Sequence, residues 1–338
     1  MGQTPSLNID HFCFLSKSAE VSRSIIQGQH SCCFPENQIL IIMFRTLARE
    51  LKLSNMSNGS IRLYASSMVG GRSKLEGKVA IITGSASGLG KATAHEFIQN
   101  GAQVIIADND TQLGPQVAKE LGPSAQYVEC DVTVEAQIEE VVNVAITKYG
   151  KLDIMYNNAG ITGPIFPPSI TELDLDEFEK VMRINVTGVI AGIKHAARVM
   201  LPKGYGSIIC TSSISGLFGG LGPHSYTISK STIPGVVKSV ASELCKDGIR
   251  VNCISPAAIP TPMSVTQVGK FLHGFTQEEI GEMVSGLSVL KGAKCETIDV
   301  ARAALYLASD DSKFISGHNL VIDGAYTSFK NYVFASPE

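Results

Sequence analysis

A phenol and an ammonium stand four residues apart at Tyr226 and Lys230, in the stretch YTISK (226–230). On a helix that spacing puts both side chains on one face, about a turn apart. A free phenol has a pKa of about 10, too high for a base at neutral pH. A neighbouring ammonium favours the phenolate and lowers that value, so the pair is a candidate proton-transfer unit. Taken alone, the pentapeptide reads more readily as the edge of an amphipathic helix whose apolar positions are Ile233, Val236 and Val237. A second candidate lies upstream. Gly84, Gly88 and Gly90 fall in the loop GSASGLG, between the apolar run KVAIITG (78–84) and a helical stretch. Glycines let a backbone approach a pyrophosphate, and the helix N-terminus that follows offers unpaired N–H groups. The spacing is GxxxGxG rather than GxGxxG, and the GK[ST] ending of a P-loop is missing.

Asp108 ends the apolar run QVIIAD (103–108). A carboxylate there can accept bonds from the adenosine ribose hydroxyls and repel a 2′-phosphate. No Lys or Arg occupies Ser85 to Ser87, where a phosphate-binding cation could sit, so the expected cofactor is NAD rather than NADP. The plain alternative for Asp108 is a strand-end residue.

These groups need a scaffold, and the chain supplies a regular one. Apolar strand-like runs recur at 78–84, 103–108, 125–132, 151–160, 206–213, 249–256 and 318–324. Helical patterns lie between them, including 134–148, 174–200, 226–245 and 297–309. Such alternation predicts an α/β fold: a single Rossmann-type, doubly wound domain of about seven parallel strands with helices on both faces. Ligands in such sheets bind beyond the carboxyl ends of the strands. The domain is expected over 73–338, with a substrate loop at about 262–290.

Residues 1–72 differ in character. They hold seven basic and four acidic residues, against 21 and 27 in the rest, within a net charge of −3. From Met43, Phe44, Leu47, Ala48 and Leu51 share one helical face, with Arg45, Arg49 and Lys52 on the other. With its many serines this segment has the composition of a mitochondrial presequence, with a cleavage site expected after Tyr64. The alternatives are an accidental extension and a cytoplasmic protein. Residues 1–42 fit neither a presequence nor a folded unit, and Met43 is a candidate translation start. Without a basic stripe the domain is not expected to bind nucleic acid. No apolar run approaches the ~20 residues that span a bilayer, so no membrane partner is expected. Cys130, Cys210, Cys245, Cys253 and Cys295 show no CxxC spacing and read as free thiols, with no metal site.

In order along the chain, TGSASGLG (83–90), NNAG (157–160), IN (184–185), CTSSIS (210–215), YTISK (226–230) and SPAAIPTPM (255–263) resemble the motifs of the short-chain dehydrogenase/reductase family. The match covers about residues 74–329. GGLGPHSY (219–226) and the stretch 306–327 look like its plant branch, which includes secoisolariciresinol and xanthoxin dehydrogenases. By that resemblance Tyr226 is the general acid/base, and Lys230 tunes it and holds the nicotinamide ribose. Ser213 holds the substrate oxygen, with Ser212 pointing the other way. Asn185 fixes a water that relays the proton through Lys230. The resemblance further implies that Ser87, Gly88 and Leu89 approach the pyrophosphate and that Asp131 and Val132 flank the adenine. Asn158, Ala159 and Gly160 would line the cofactor groove, and Ile259 and Thr261 would face the nicotinamide carboxamide. His224 is expected to line the substrate site or to be structural.

The expected reaction is oxidation of a lipophilic secondary alcohol, terpenoid or phenolic-derived, to its ketone. The pocket wall is expected from 216–224 and 263–275, apolar but for Lys270. A carbonyl reductase of another substrate class (3-oxoacyl or steroid-like) and a non-catalytic NAD-binding scaffold stay open. A homodimer or homotetramer is expected through 174–200 and 226–245, where Ile190, Ile193, Ala197 and Met200 repeat at helical spacing. Two departures from the family pattern stand out. Pro256-Ala257 replaces Pro-Gly, and Pro234 inside a helix predicts a kink or a water on the Lys230 carbonyl.

Overall fold

Seven strands form one parallel sheet in the order β3-β2-β1-β4-β5-β6-β7. They are β1 (Val79–Thr83), β2 (Gln103–Asp108), β3 (Ala125–Glu129), β4 (Ile154–Asn157), β5 (Gly206–Thr211), β6 (Ile249–Pro256) and β7 (Asn319–Ile322). The structure is a computed structural model that describes residues 73–164 and 169–328. The expected presequence, its cleavage site and the Met43 start lie outside the described residues. Around the sheet run α1 (Gly88–Gln99), α2 (Leu113–Leu121), α3 (Glu135–Tyr149), α4 (Leu175–Met182), α5 (Gly188–Met200), α6 (His224–Leu244), α7 (Pro262–Gly269), α8 (Gln277–Ser285) and α9 (Thr297–Ala308). No helix among the described residues is long and apolar enough to cross a membrane.

The strand sequences build two cores at once, because neighbouring side chains leave a strand on opposite faces. Ile81, Ile105 and Ile208 join one buried cluster with Val141 of α3 and Ile233 and Val237 of α6. Ile82, Ile106 and Ile209, one residue on in each case, join the other with Phe97 of α1 and Val300 and Leu307 of α9. Each such side chain contributes roughly 1.5–3 kcal/mol by burial, so the paired isoleucines hold both helix layers to the sheet. The chain runs outward from β1 to β3, then crosses back to place β4 on the other side of β1. That reversal opens a crevice above β1 and β4, where sheets of this kind take their ligands.

Three expectations are refined. The helical pattern at 174–200 is two helices, α4 and α5, joined by a wider π-type turn over Arg183–Thr187 that carries Asn185. The repeat offered as an assembly face is mainly core: Ile193, Ala197 and Met200 are buried, and only Ile190 is exposed. Ala257 needs no glycine, since Ala325 is the only non-glycine with positive φ among the described residues.

Candidate active site

The cleft lies beyond the carboxyl ends of the strands and has a volume of about 480 Å³. One end is a cradle built by missing side chains. A Cβ on Gly90 would lie 2.3 Å from the Gly84 carbonyl oxygen and 2.8 Å from Asn158 Nδ2. On Gly84 it would lie 2.7 Å from Ala159 Cα. These close approaches bring the loop down onto α1, whose first turn has no acidic residue and whose N-cap, Ser87, makes no side-chain cap. Its leading N–H groups are left for a ligand. Asn158 braces the loop, donating to the carbonyls of Thr83 and Gly84 at 3.0 and 3.1 Å. Thr83 Oγ1 in turn accepts from the N–H groups of Asn158 and Ala159. Asp108 closes this end. Its Oδ2 accepts from Ala86 N at 2.8 Å and its Oδ1 from Asp110 N at 3.0 Å, which fixes the carboxylate at the lip of the cleft.

The other end carries the reactive side chains. Tyr226 and Lys230, a turn apart on α6, both face the cleft. The Tyr226 hydroxyl is hydrogen-bonded to Ser213 just past β5, and Lys230 Nζ donates to the Thr211 carbonyl at 2.9 Å. The ammonium lies 5.7 Å from the centroid of the Tyr226 ring. Burial raises the Tyr226 phenol above its ordinary value, and the Ser213 hydroxyl opposes that rise. Burial also pulls Lys230 down to about 8. In the cleft as the chain alone builds it, desolvation governs both groups and moves the phenol up. Each member of the pair therefore resists its own charged form.

Asn185 is fully buried beside this pair without lining the cleft. Its Oδ1 accepts from Ile161 N at 2.9 Å, and its Nδ2 donates to the Ile161 carbonyl and to Ser229 Oγ. It therefore ties the loop after β4 to α6. Gly160 leaves open space here: a Cβ on it would lie 3.1 Å from Asn185 Oδ1 and 3.3 Å from Lys230 Nζ.

Gly84, Ser87, Gly88, Leu89, Asp108, Asp131, Val132, Asn158, Ala159, Gly160, Ser213, Tyr226, Lys230, Ile259 and Thr261 all line the cleft. Gly90, Asn185 and His224 do not. Gly90 acts by close approach beneath it, while His224 opens α6 at the corner where Leu221 and Tyr226 form the wall. Thr261 caps α7 and stands over α1, 3.5 Å from where a Gly88 Cβ would be.

Much of the expected apolar wall is elsewhere. Leu217, Phe218, Phe271 and Phe275 are exposed and outside the cleft, as is Lys270. Leu221, Met263 and Ser264 of the expected segments do line the cleft, as does Leu287 of the expected loop, and Cys295, Asp323 and Tyr326 join them as the far wall, from the C-terminal part of the chain. Asp323 is held below the usual carboxylate range: burial raises it, but bonds from Thr327 and Ala325 outweigh that. Burial pushes Cys130 and Cys295, the two thiols on the wall, up to about 12 and about 11.

The carbonyl that Pro234 deprives of its helical donor takes one from a side chain. The helix continues past the proline, and Ser212 Oγ, nearly fully buried, donates to the Lys230 carbonyl at 2.8 Å.

A glycine cradle at a helix N-terminus, a carboxylate at the end of β2 and a Tyr–Lys–Ser cluster at the other end fit a nicotinamide dinucleotide lying along the cleft. Fold and site define an oxidoreductase of the alcohol dehydrogenase type. A family model described as enoyl-(acyl carrier protein) reductase matches residues 84–327. Zerumbone synthase of Zingiber zerumbet is 47% identical over 262 residues, covering 75% of this chain and 96% of that protein. Secoisolariciresinol dehydrogenase of Forsythia intermedia is 47% identical over 256 residues, covering 75% and 90%. The crystal structure of levodione reductase superposes with a TM-score of 0.70 at 29% identity, over 75% of this chain and 99% of that one. The chain belongs to the short-chain dehydrogenase/reductase family, whose members use NAD or NADP.

Proposed function

We propose that the protein oxidises a neutral, lipophilic secondary alcohol to the ketone with NAD. The observation that carries this reading is the joint presence of the Tyr226–Ser213 hydroxyl pair beside Lys230 and the Asp108 carboxylate at the opposite lip of one cleft. Ser213 orients the substrate hydroxyl, and Tyr226 takes its proton. Lys230, with its lowered affinity for its own proton, passes that charge on toward solvent. When bound, NAD supplies the acceptor for the hydride leaving the carbinol carbon. Asp108 favours NAD because the carboxylate can accept ribose hydroxyls and repels a 2′-phosphate.

The charges of the cleft support a neutral substrate. Among the described residues, its lining side chains of fixed charge are Asp108, Asp131, Asp323 and Lys230, three carboxylates against one ammonium. At the substrate end, among the described residues, the far wall carries Asp323 and, Lys230 apart, no cation that could pair the phosphate of an acyl carrier, despite the wording of the matched family model. Names such as secoisolariciresinol dehydrogenase and (+)-borneol dehydrogenase 2, a relative 42% identical, support an alcohol as donor. The test is a panel of cyclic secondary alcohols, from terpenoid to lignan-like, assayed for NADH formation. Turnover of a neutral lipophilic member is expected. Turnover of acyl thioesters alone would replace this reading with the reductase one.

Two further proposals belong to the same picture. The segment from Met43 directs the protein to mitochondria; the relatives above align over about three-quarters of this chain, which supports an added N-terminal part. A mature N-terminus near Ala65 is the expected result, and an intact Met43 on the functional protein would instead favour the cytoplasm. The protein also assembles as a homodimer or homotetramer, and light scattering that gives a stable monomer at micromolar concentration counts against this.

A further inference from the structure

Three consecutive residues at the end of β5 grip three different atoms of α6. The Thr211 carbonyl accepts from Lys230 Nζ, Ser212 Oγ donates to the Lys230 carbonyl, and Ser213 Oγ is bonded to the Tyr226 hydroxyl. The middle contact answers a defect in the helix. In an uninterrupted helix the N–H of residue 234 would occupy the Lys230 carbonyl, but Pro234 has no N–H and its ring crowds that oxygen. The site is built for the replacement donor. Ser212 is 1% exposed, and a Cβ on Gly216 would lie 2.5 Å from both the carbonyl carbon and oxygen of Lys230. The turn after β5 therefore packs directly on that peptide, with the Ser212 hydroxyl as the donor to its carbonyl.

We propose that Ser212 is a positioning residue for the Tyr226–Lys230 pair, and that Pro234 makes it one. The proposal rests on the oxidoreductase reading of this cleft. With Pro234 in place, the backbone and the ammonium of Lys230 both hang from β5, the strand that also presents Ser213 to Tyr226. Removing the Ser212 hydroxyl leaves a buried carbonyl unpaired in the turn of helix that carries the pair, and such a group is costly until it is hydrated. Hydration at that point shifts Lys230 itself toward water. Water around Lys230 screens its ammonium, so the field that supports the Tyr226 phenolate weakens.

The test compares wild type, Ser212→Ala, Pro234→Ala and the double variant. One readout is the pH profile of kcat/KM, measured with NAD and the panel alcohol that the wild type oxidises fastest. The other is amide hydrogen exchange over residues 229–235 in the cofactor-free protein. Ser212→Ala is expected to lose about tenfold in kcat/KM, mainly in kcat, equivalent to ~1.4 kcal/mol. Its acidic limb should move to higher pH, and exchange should quicken. In the double variant the N–H restored by Pro234→Ala can donate to the Lys230 carbonyl, so profile and protection should return to within about threefold of wild type, as in Pro234→Ala alone. A double variant as slow and as displaced as Ser212→Ala overturns the proposal. If Ser212→Ala does not fold, the double variant decides by the same limb: wild-type position supports, displaced position overturns. If no protein, wild type included, oxidises any alcohol, the functional reading fails and exchange decides, with unrestored protection in the double variant overturning the proposal.

Discussion

Replacing Lys230 with methionine should abolish turnover and yet leave the folded protein no less stable at neutral pH. The ammonium is 3% exposed, and burial lowers its pKa from 10.5 to about 8. At ~1.4 kcal/mol per pH unit, that difference means the folded state carries a penalty of about 3 kcal/mol for the charge at pH 7. Methionine removes the charge and fills similar space. It also removes the donor to the Thr211 carbonyl, which costs ~1–3 kcal/mol once that acceptor is unpaired. The balance at pH 7 is a net gain of about 1 kcal/mol for Lys230→Met. Between pH 8 and 10.5 the unfolded wild-type chain binds a proton that the folded chain does not, so wild-type stability climbs with pH in that window. The variant lacks the climb. By pH 9.5 the wild type should have gained roughly 2 kcal/mol relative to the variant, and the ranking should reverse. Urea melts of both cofactor-free proteins at pH 7 and pH 9.5, followed by circular dichroism, measure the two gaps. A gap that stays within about 0.5 kcal/mol of itself at both pH values would refute the argument that burial of charge dominates at Lys230.

Three other outcomes follow from the site. Because burial raises Tyr226 and its phenolate is the proposed base, alcohol oxidation should speed up as pH rises from neutral into the alkaline range while ketone reduction slows; initial rates in both directions check this. Asp108→Asn should cut kcat/KM with NAD about tenfold and narrow the preference over NADP by at least that factor, as a charge-assisted bond is worth ~1.5–3 kcal/mol; equal use of both cofactors by the wild type would show that Asp108 does not read the ribose. Gly90→Ala forces a Cβ to 2.3 Å from the Gly84 carbonyl, an overpacking that should cost ~1–3 kcal/mol and lower the melting temperature by several degrees, readable by calorimetry.

The sheet, the glycine cradle and the Tyr226–Lys230 pair are legible in the sequence because each rests on local periodicity or fixed spacing. Ile81 and Ile82 tell the strand apart, and four residues on a helix suffice to align the pair. The far wall is not legible in that way. Leu287 falls in the loop expected at 262–290, but Cys295, Asp323 and Tyr326 meet the cleft only once β6 and β7 have closed the sheet, and no short-range pattern ties them to Tyr226. The same holds for Ser212 and the Lys230 carbonyl: the proline announces an orphan acceptor, but not which hydroxyl will reach it. α8 was open to detection, since Thr276 and Glu279 have the spacing of a reciprocal helix cap and form one here. The π-type turn at Asn185 escapes periodicity altogether, because one extra residue per turn leaves the apolar pattern on either side intact.

The cysteines of the catalytic domain bear on how such an enzyme withstands its own chemistry. A carbonyl product is an electrophile, and only thiolates attack electrophiles at useful rates. Cys295 lies on the far wall beside the proposed reacting end and Cys130 at the adenine end, yet burial holds both as thiols far above physiological pH, and Cys210 and Cys253, on β5 and β6, are held the same way. Cys245 is the exposed one, at the end of α6 and away from the cleft. Among these five, alkylating reagents should therefore mark Cys245 first, and a fully labelled Cys245 should leave turnover intact. The cleft is chemically quiet toward its own product, and that quietness comes from the same desolvation that tunes the tyrosine and the lysine.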